Sequence, residues 1–338
     1  NDQHDKAIDA FIEAVQQDPD TSDLHFALGN LFRRRGEFER AVRVHEHLLQ
    51  RADLPRGERD RAQHALAQDF MKAGLFDRAE AAYHALEGTA FDTEARLALL
   101  TLHERSRDWR AAVDVAAKLE NRGTGSFASR IAHYWCELAL EADAKQQTAD
   151  ADTAVKRARE AAPQAARPLV LAGERAARRG DHLEVMALWG VLMVALPTVF
   201  NLVAREYAAS ALAAGDGPAA FERLYGLYRR APSMDLLDAI TLLDPAPAHQ
   251  RERLLAHLRS HPTLSVAKAL LSQPQSETIG ETLTPVETQS LADAVGRAAQ
   301  PLHRYRCAAC GFEANHYFWQ CPGCLNWDSY PPQRLEDL

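Results

Sequence analysis

The chain has 338 residues, of which 46% are apolar, and a formal net charge of −8. The apolar share is that of a folded globular protein. The negative balance argues against a general nucleic-acid binder, because no excess of Lys and Arg exists to neutralise phosphates; only a local basic groove is compatible with it. No run of about eighteen apolar residues occurs, so these residues contain no transmembrane helix. The best candidate, Val185–Leu196, is too short and scans as an amphipathic helix. No signal peptide is visible.

Helical periodicity extends to about residue 300, and the decisive signal within it is self-similarity. Ala7, Phe11 and Ala14 form one helix face, stopped by Pro19. Next comes LHFALGNLFRRRGEFERAV, which predicts a helix over 24–34, a break at Gly36 and a second helix beyond it. Ala41 follows Ala7 by 34 residues, with Gly29 as a small residue in the preceding helix. The pattern recurs as LAQDFMKAGLFDRAEAAY, where Gly74, Phe76 and Ala79 take the places of Gly36, Phe38 and Ala41. An insert at 54–57 stretches that spacing to 38 residues. In LHERSRDWRAAVDVA, Trp109 and Ala112 keep their places and Arg107 replaces the glycine.

Further on, Cys136 sits beside Tyr134 and Trp135 in a helical run and reads as a small core residue. The polar stretch 142–150 reads as a loop or a ragged helix end. Ala151, Val155, Ala158 and Pro163 give another second helix. LVLAGERAARRGDHLEVMALWGVLMVALP repeats the spacing with Gly173, Gly180, Val185, Trp189 and Pro197, and Ala220, Leu224, Leu227 and Pro232 close the series.

Small residues at fixed places let two helices cross closely, and a proline after the second helix stops it. The pattern resembles the tetratricopeptide repeat, a helix–turn–helix unit of about 34 residues. The resemblance implies an all-α fold, a tetratricopeptide-repeat superhelix (α-solenoid), over residues 1–232 with about seven units. The first repeat is incomplete, so the natural protein is expected to begin earlier, where a membrane anchor could lie. Residues 233–302, cut by prolines, read as further helical hairpins, with a polar linker over 273–284. In such a superhelix the first helices line a concave face that holds peptides or partner proteins. Asn30, Arg33 and Arg34 of one unit, and Gln68 and Lys72 of the next, are the candidate partner-binding residues, able to clamp an acidic peptide or a carboxylate terminus.

The last segment, 303–338, reads differently. YRCAACGFEANHYFWQCPGCLNW holds two Cys-x-x-Cys pairs, Cys307 with Cys310 and Cys321 with Cys324, ten residues apart. Two tight pairs in a long chain point to a metal rather than to disulfides. Gly311 and Pro322–Gly323 supply the turn chemistry for two knuckles. Four thiolates in a closed tetrahedral set suit one structural ion, zinc or iron. The segment resembles the rubredoxin-like or zinc-ribbon knuckle pair, but with far fewer residues between knuckles than ordinary rubredoxin, which speaks against electron transfer. Seven aromatics, from Tyr305 to Tyr330, lie within 26 residues. So small a module cannot bury them all, and some are expected to dock on the repeats or on a partner.

No phosphate loop, dinucleotide fingerprint or nucleophile elbow occurs, and the HEH at 45–47 lacks metalloprotease spacing, so no enzyme is expected. The phrases HFALGNLFRRRGE, DFMKAGLFDRAE and RYRCAACGF followed by CPGC resemble the bacterial lipopolysaccharide assembly protein B (LapB) family along essentially the whole chain. That resemblance implies an inner-membrane protein with one N-terminal membrane helix and a cytoplasmic body. It also implies an adaptor between the membrane protease FtsH and LpxC, the deacetylase of the committed step of lipid A synthesis. Two other classes fit the residues: a general peptide-binding co-chaperone scaffold, and a thiolate-metal redox sensor.

Overall fold

The computed structural model describes residues 22–121, 123, 125–273 and 285–337. The half-repeat at Ala7, Phe11, Ala14 and Pro19, and nearly all of the linker expected at 273–284, lie outside the described residues. The chain forms two compact units that divide at Ala154/Val155, within one helix.

In the first unit the helices are α1 (Ser22–Arg34), α2 (Phe38–Gln50), α3 (Arg56–Ala73), α4 (Phe76–His84), α5 (Asp92–Ser106), α6 (Trp109–Asn121) and α7 (Ala128–Ala144). The unit ends inside α8 (Thr148–Ala161). The second unit continues with α9 (Ala166–Arg179), α10 (His182–Ala195), α11 (Pro197–Phe200), a 3₁₀ turn over Asn201–Val203, α12 (Ala204–Ala213) and α13 (Gly217–Tyr228). Then follow α14 (Met234–Leu243), α15 (Pro247–Ser260), α16 (Leu264–Leu271) and α17 (Pro285–Ala299). A two-residue strand β1 (Tyr305–Arg306) pairs antiparallel with β2 (Glu313–Ala314) in the terminal module. The fold class is the one the repeats indicated: all-α tetratricopeptide-type hairpins followed by a small knuckle module.

Six of the hairpin turns are built the same way. The residue after the first helix is left-handed at Gly36, Gly74, Gly180 and Gly215 (φ 75° to 81°), and also at Arg107 (58°) and Gln146 (60°). The next amide closes a six-residue ring onto the helix: Glu37 N–H to Phe32 O, Leu75 to Phe70, Asp108 to His103, Gln147 to Ala142, Asp181 to Ala176 and Asp216 to Ala211, all at 2.9–3.0 Å. This Schellman closure satisfies carbonyls that a helix end otherwise leaves unpaired. The polar stretch 142–150, expected as a loop or a ragged helix end, is the end of α7, a tight turn around Gln146 and the start of α8. Glycine adopts this backbone without a Cβ penalty, whereas an L side chain is strained there. Arg107 is exposed, so Arg107→Gly changes little besides the backbone. It should raise stability by about 0.5–1 kcal/mol, read as a higher urea midpoint at unchanged slope; an unchanged or lower midpoint would contradict the turn assignment.

The small residues lie where the helices cross. Ala41, Ala79, Ala112, Ala151 and Ala220, with Val185, are fully buried at equivalent places in the second helices. A Cβ on Gly29 would stand 2.4 Å from His45 Nε2, and one on Gly173 only 2.1 Å from Trp189 Nε1. In these two hairpins glycine is thus required by a ring packed flat on the partner helix. Cys136 is fully buried, as its surroundings suggested.

Consecutive units are also joined by buried polar contacts. Asp69 on α3, completely buried, accepts from Arg33 Nη1 of α1 at 2.8 Å and from the His45 Nδ1 of α2. Arg33 also donates to Ala65 O at 3.1 Å and to the side chain of Asn30. Further along, Arg130 Nη2 of α7 is 2.8 Å from Glu104 of α5, which also accepts from Tyr134. In each case a first helix hands a cation or a carboxylate to the next first helix, which fixes the stacking register.

Candidate metal centre

The knuckles form because each Cys-x-x-Cys pair turns back on itself. Gly311 N–H donates to Cys307 O at 2.9 Å and Leu325 N–H to Cys321 O at 2.8 Å. Cys307 N–H donates to Phe312 O and Cys321 N–H to Asn326 O, both at 2.9 Å. The β1–β2 register pairs Arg306 with Glu313, and an isolated bridge pairs Gln320 with Trp327. The second knuckle is therefore a copy of the first, displaced by 14 residues. Gly311 and Leu325 occupy matching left-handed positions (φ 77° and 60°), so only the first knuckle has the unstrained residue there.

This duplication brings all four sulfurs together, within 4.8 Å of one another. Cys307 Sγ lies 3.8 Å from Cys324 Sγ, and Cys310 Sγ 3.7 Å from Cys321 Sγ. A tetrahedral ion with bonds of about 2.3 Å to sulfur requires edges of about 3.8 Å. The donor set thus fits a closed four-thiolate site, and among the described residues it is the group of His, Cys, Asp and Glu side chains that converges in this way.

The surroundings supply charge stabilisation. Gly323 N–H points at Cys321 Sγ at 3.4 Å. Burial works against a Cys307 thiolate, but the Ser329 hydroxyl and the N–H groups of Cys310 and Ala309 overcome it, bringing this thiol down to about 6. Phe312 N–H favours a Cys310 thiolate, yet burial and the three neighbouring sulfurs prevail and push it up to about 12. The protein alone accommodates part of the negative charge, and a cation is what would let all four sulfurs ionise together. Cys307 and Cys321 are buried, Cys324 is half-buried, and Cys310 is exposed at the outer edge.

The module leans on the helices of its own unit. Tyr305, Cys307, Cys321 and Tyr330 form its core, and Leu202 of the 3₁₀ turn packs into it alongside Ala314 and Tyr317. The Tyr330 hydroxyl donates to Phe312 O at 3.2 Å. Arg167 of α9 lies 5.6 Å above the Trp327 ring. Past the second knuckle, Arg334 pairs with Asp235 of α14 at 3.1 Å, and the Glu336 carboxylate accepts from the Ser265 hydroxyl at the start of α16. Some of the surplus aromatics are accommodated in this way, within the module or against helices, while Phe312 and Phe318 remain exposed.

The candidate partner residues are placed less uniformly. Arg34 and Lys72 are exposed and Gln68 is half-buried, 3.5 Å from His64 Nε2. Asn30 and Arg33 belong to the Asp69 network described above. The pairing of His45 with Asp69 is not legible in the sequence, since it spans 24 residues without a local motif. Among the described residues no helix is long and apolar enough to cross a membrane.

Comparison with known proteins agrees with both parts of the chain. A model described as a tetratricopeptide repeat matches residues 24–61, and one described as a rubredoxin metal binding domain matches residues 305–331. Lipopolysaccharide assembly protein B of Escherichia coli (strain K12) is 31% identical over 98% of this chain and 86% of its own length. The protein of the same name from Haemophilus influenzae is 25% identical over the same shares. Similarity of that extent, joined to a repeat scaffold and a four-cysteine knuckle pair, makes this chain a member of the lipopolysaccharide assembly protein B family.

Proposed function

We propose that the chain is the cytoplasmic part of an inner-membrane adaptor that regulates lipopolysaccharide synthesis by bringing LpxC to the protease FtsH, with no catalysis of its own. The observation that carries this reading is similarity along 98% of the chain to proteins named for lipopolysaccharide assembly. In this account residues 1–232 present partners, 233–302 extend the helical body and 303–338 clamp it. Cys307, Cys310, Cys321 and Cys324 would hold one structural ion, zinc or iron, with no coordination position left for substrate. Arg34, Gln68 and Lys72 would meet a partner directly, while Asn30 and Arg33 would act through the shape that the Asp69 network imposes.

The test is the half-life of LpxC after protein synthesis is blocked. Cells depleted of this protein should degrade LpxC several-fold more slowly, and affinity capture from normal cells should recover LpxC and FtsH as the dominant partners. Unchanged LpxC turnover would refute the adaptor role. Recovery of many unrelated extended peptides instead would favour the co-chaperone reading.

A further inference from the structure

The four sulfurs of the candidate metal centre are not equally accessible. Cys321 is completely buried and Cys307 nearly so, Cys324 is half-buried, and Cys310 is exposed. The two inner sulfurs are also approached by hydroxyl groups, Ser329 Oγ at 3.3 Å from Cys307 Sγ and Tyr330 Oη at 4.0 Å from Cys321 Sγ. Around Cys310 the neighbours in sequence, Ala308, Ala309 and Gly311, are small and exposed. A Cβ built on Gly311 would meet nothing within 4 Å, so the approach to this edge of the donor set is open.

Two short sulfur–sulfur contacts run between the knuckles, Cys310 to Cys321 at 3.7 Å and Cys307 to Cys324 at 3.8 Å. Cysteines that hold an ion do so as thiolates, and the thiolate is the form that peroxides oxidise. A disulfide has a sulfur–sulfur distance of about 2.05 Å, so joining Cys310 to Cys321 needs only a small approach from their present positions. Once joined, they leave two sulfurs to hold an ion whose closed structural site takes four ligands.

We propose that Cys310 is a peroxide-reactive cysteine, resolved by Cys321, whose oxidation expels the ion. The Cys310 thiolate attacks hydrogen peroxide; an S–O bond forms, the O–O bond breaks, and the departing hydroxide takes up a proton to become water. The Cys321 thiolate then attacks the resulting sulfenic acid at sulfur. The S–S bond forms, the S–O bond breaks, and a second hydroxide leaves and is protonated. Together the two thiolates give up two electrons and the peroxide receives them. The inference goes beyond the adaptor reading and needs neither of its partners, since it concerns only how the terminal clamp is opened.

The experiment adds hydrogen peroxide to the full chain loaded with zinc and follows the freed ion with a chromogenic chelator. Dimedone traps the sulfenic acid, and peptide mass mapping places both the adduct and the disulfide. The adduct should sit on Cys310, and without dimedone a Cys310–Cys321 disulfide should form in step with release of the ion. Cys310→His keeps a nitrogen ligand in the closed set and should slow release about tenfold or more. Cys324→His makes the same change at the half-buried ligand and should leave the rate within about twofold. If Cys310→His holds no ion, the adduct and disulfide mapped in the unaltered chain decide. A first adduct on another cysteine, a disulfide within one knuckle, or an ion retained after Cys310 is oxidised overturns the proposal. So does a loaded Cys310→His chain that releases its ion as fast as the unaltered one.

Discussion

Cys321→Ser is expected to lower metal affinity by more than ~100-fold, since loss of even an outer-shell partner costs 10–100-fold. The module should then separate from the helices while most helicity persists. Cys321 is completely buried, among Tyr305, Cys307 and Tyr330, so its sulfur is both a ligand candidate and part of the module core. The module has two short strands and a small buried core, with Phe312 and Phe318 left exposed, so the ion would supply much of its folding free energy. Limited proteolysis should release fragments cut after about residue 303, with far-ultraviolet circular dichroism nearly unchanged. Acid should act in the same direction. Cys307 is depressed from 9.0 to about 6, so its contribution to the folded module is full above pH 9 and is lost as pH falls through 6. A serine variant with full metal occupancy and unaltered protease resistance would refute the ligand assignment.

The second large effect belongs to Asp69. Asp69→Ala removes a completely buried carboxylate and leaves Arg33 and His45 facing a hole, which should destabilise the first unit by about 3–5 kcal/mol. The check is urea unfolding followed in the first unit, by hydrogen exchange of α1, α2 and α3. Protection of those helices should fall sharply, while α14 and α16 of the second unit keep theirs. A loss below about 1 kcal/mol would mean that the network is solvated rather than structural.

These two sites differ in how far sequence revealed them. The cysteines declare themselves, because a knuckle is local and its chemistry lies within four residues. The hairpins do so as well: glycine at 36, 74 and 180 marks a left-handed turn, and alanine at 41, 79 and 112 marks a close crossing. Arg107 and Gln146 carry the same turn without the glycine, so only the repeat period locates it there. The Asp69 network, by contrast, joins residues 24 and 36 positions apart on three helices, and no periodicity distinguishes it from a solvated face. That is why Asn30 and Arg33 read as concave-face residues while the structure engages them internally. Docking of Leu202 and Arg167 on the module is legible only in three dimensions, because the aromatic surplus indicates that something must cover it but not what.

The central claim is that four thiolates converge on one ion and clamp the terminal module to the repeat body. X-ray absorption at the metal edge, with metal content measured on the same sample, tests it most directly. The account predicts one ion per chain, coordinated by four sulfurs at about 2.3 Å. A metal-free chain that is folded through residue 337, or a mass showing the four cysteines paired as disulfides, would contradict it.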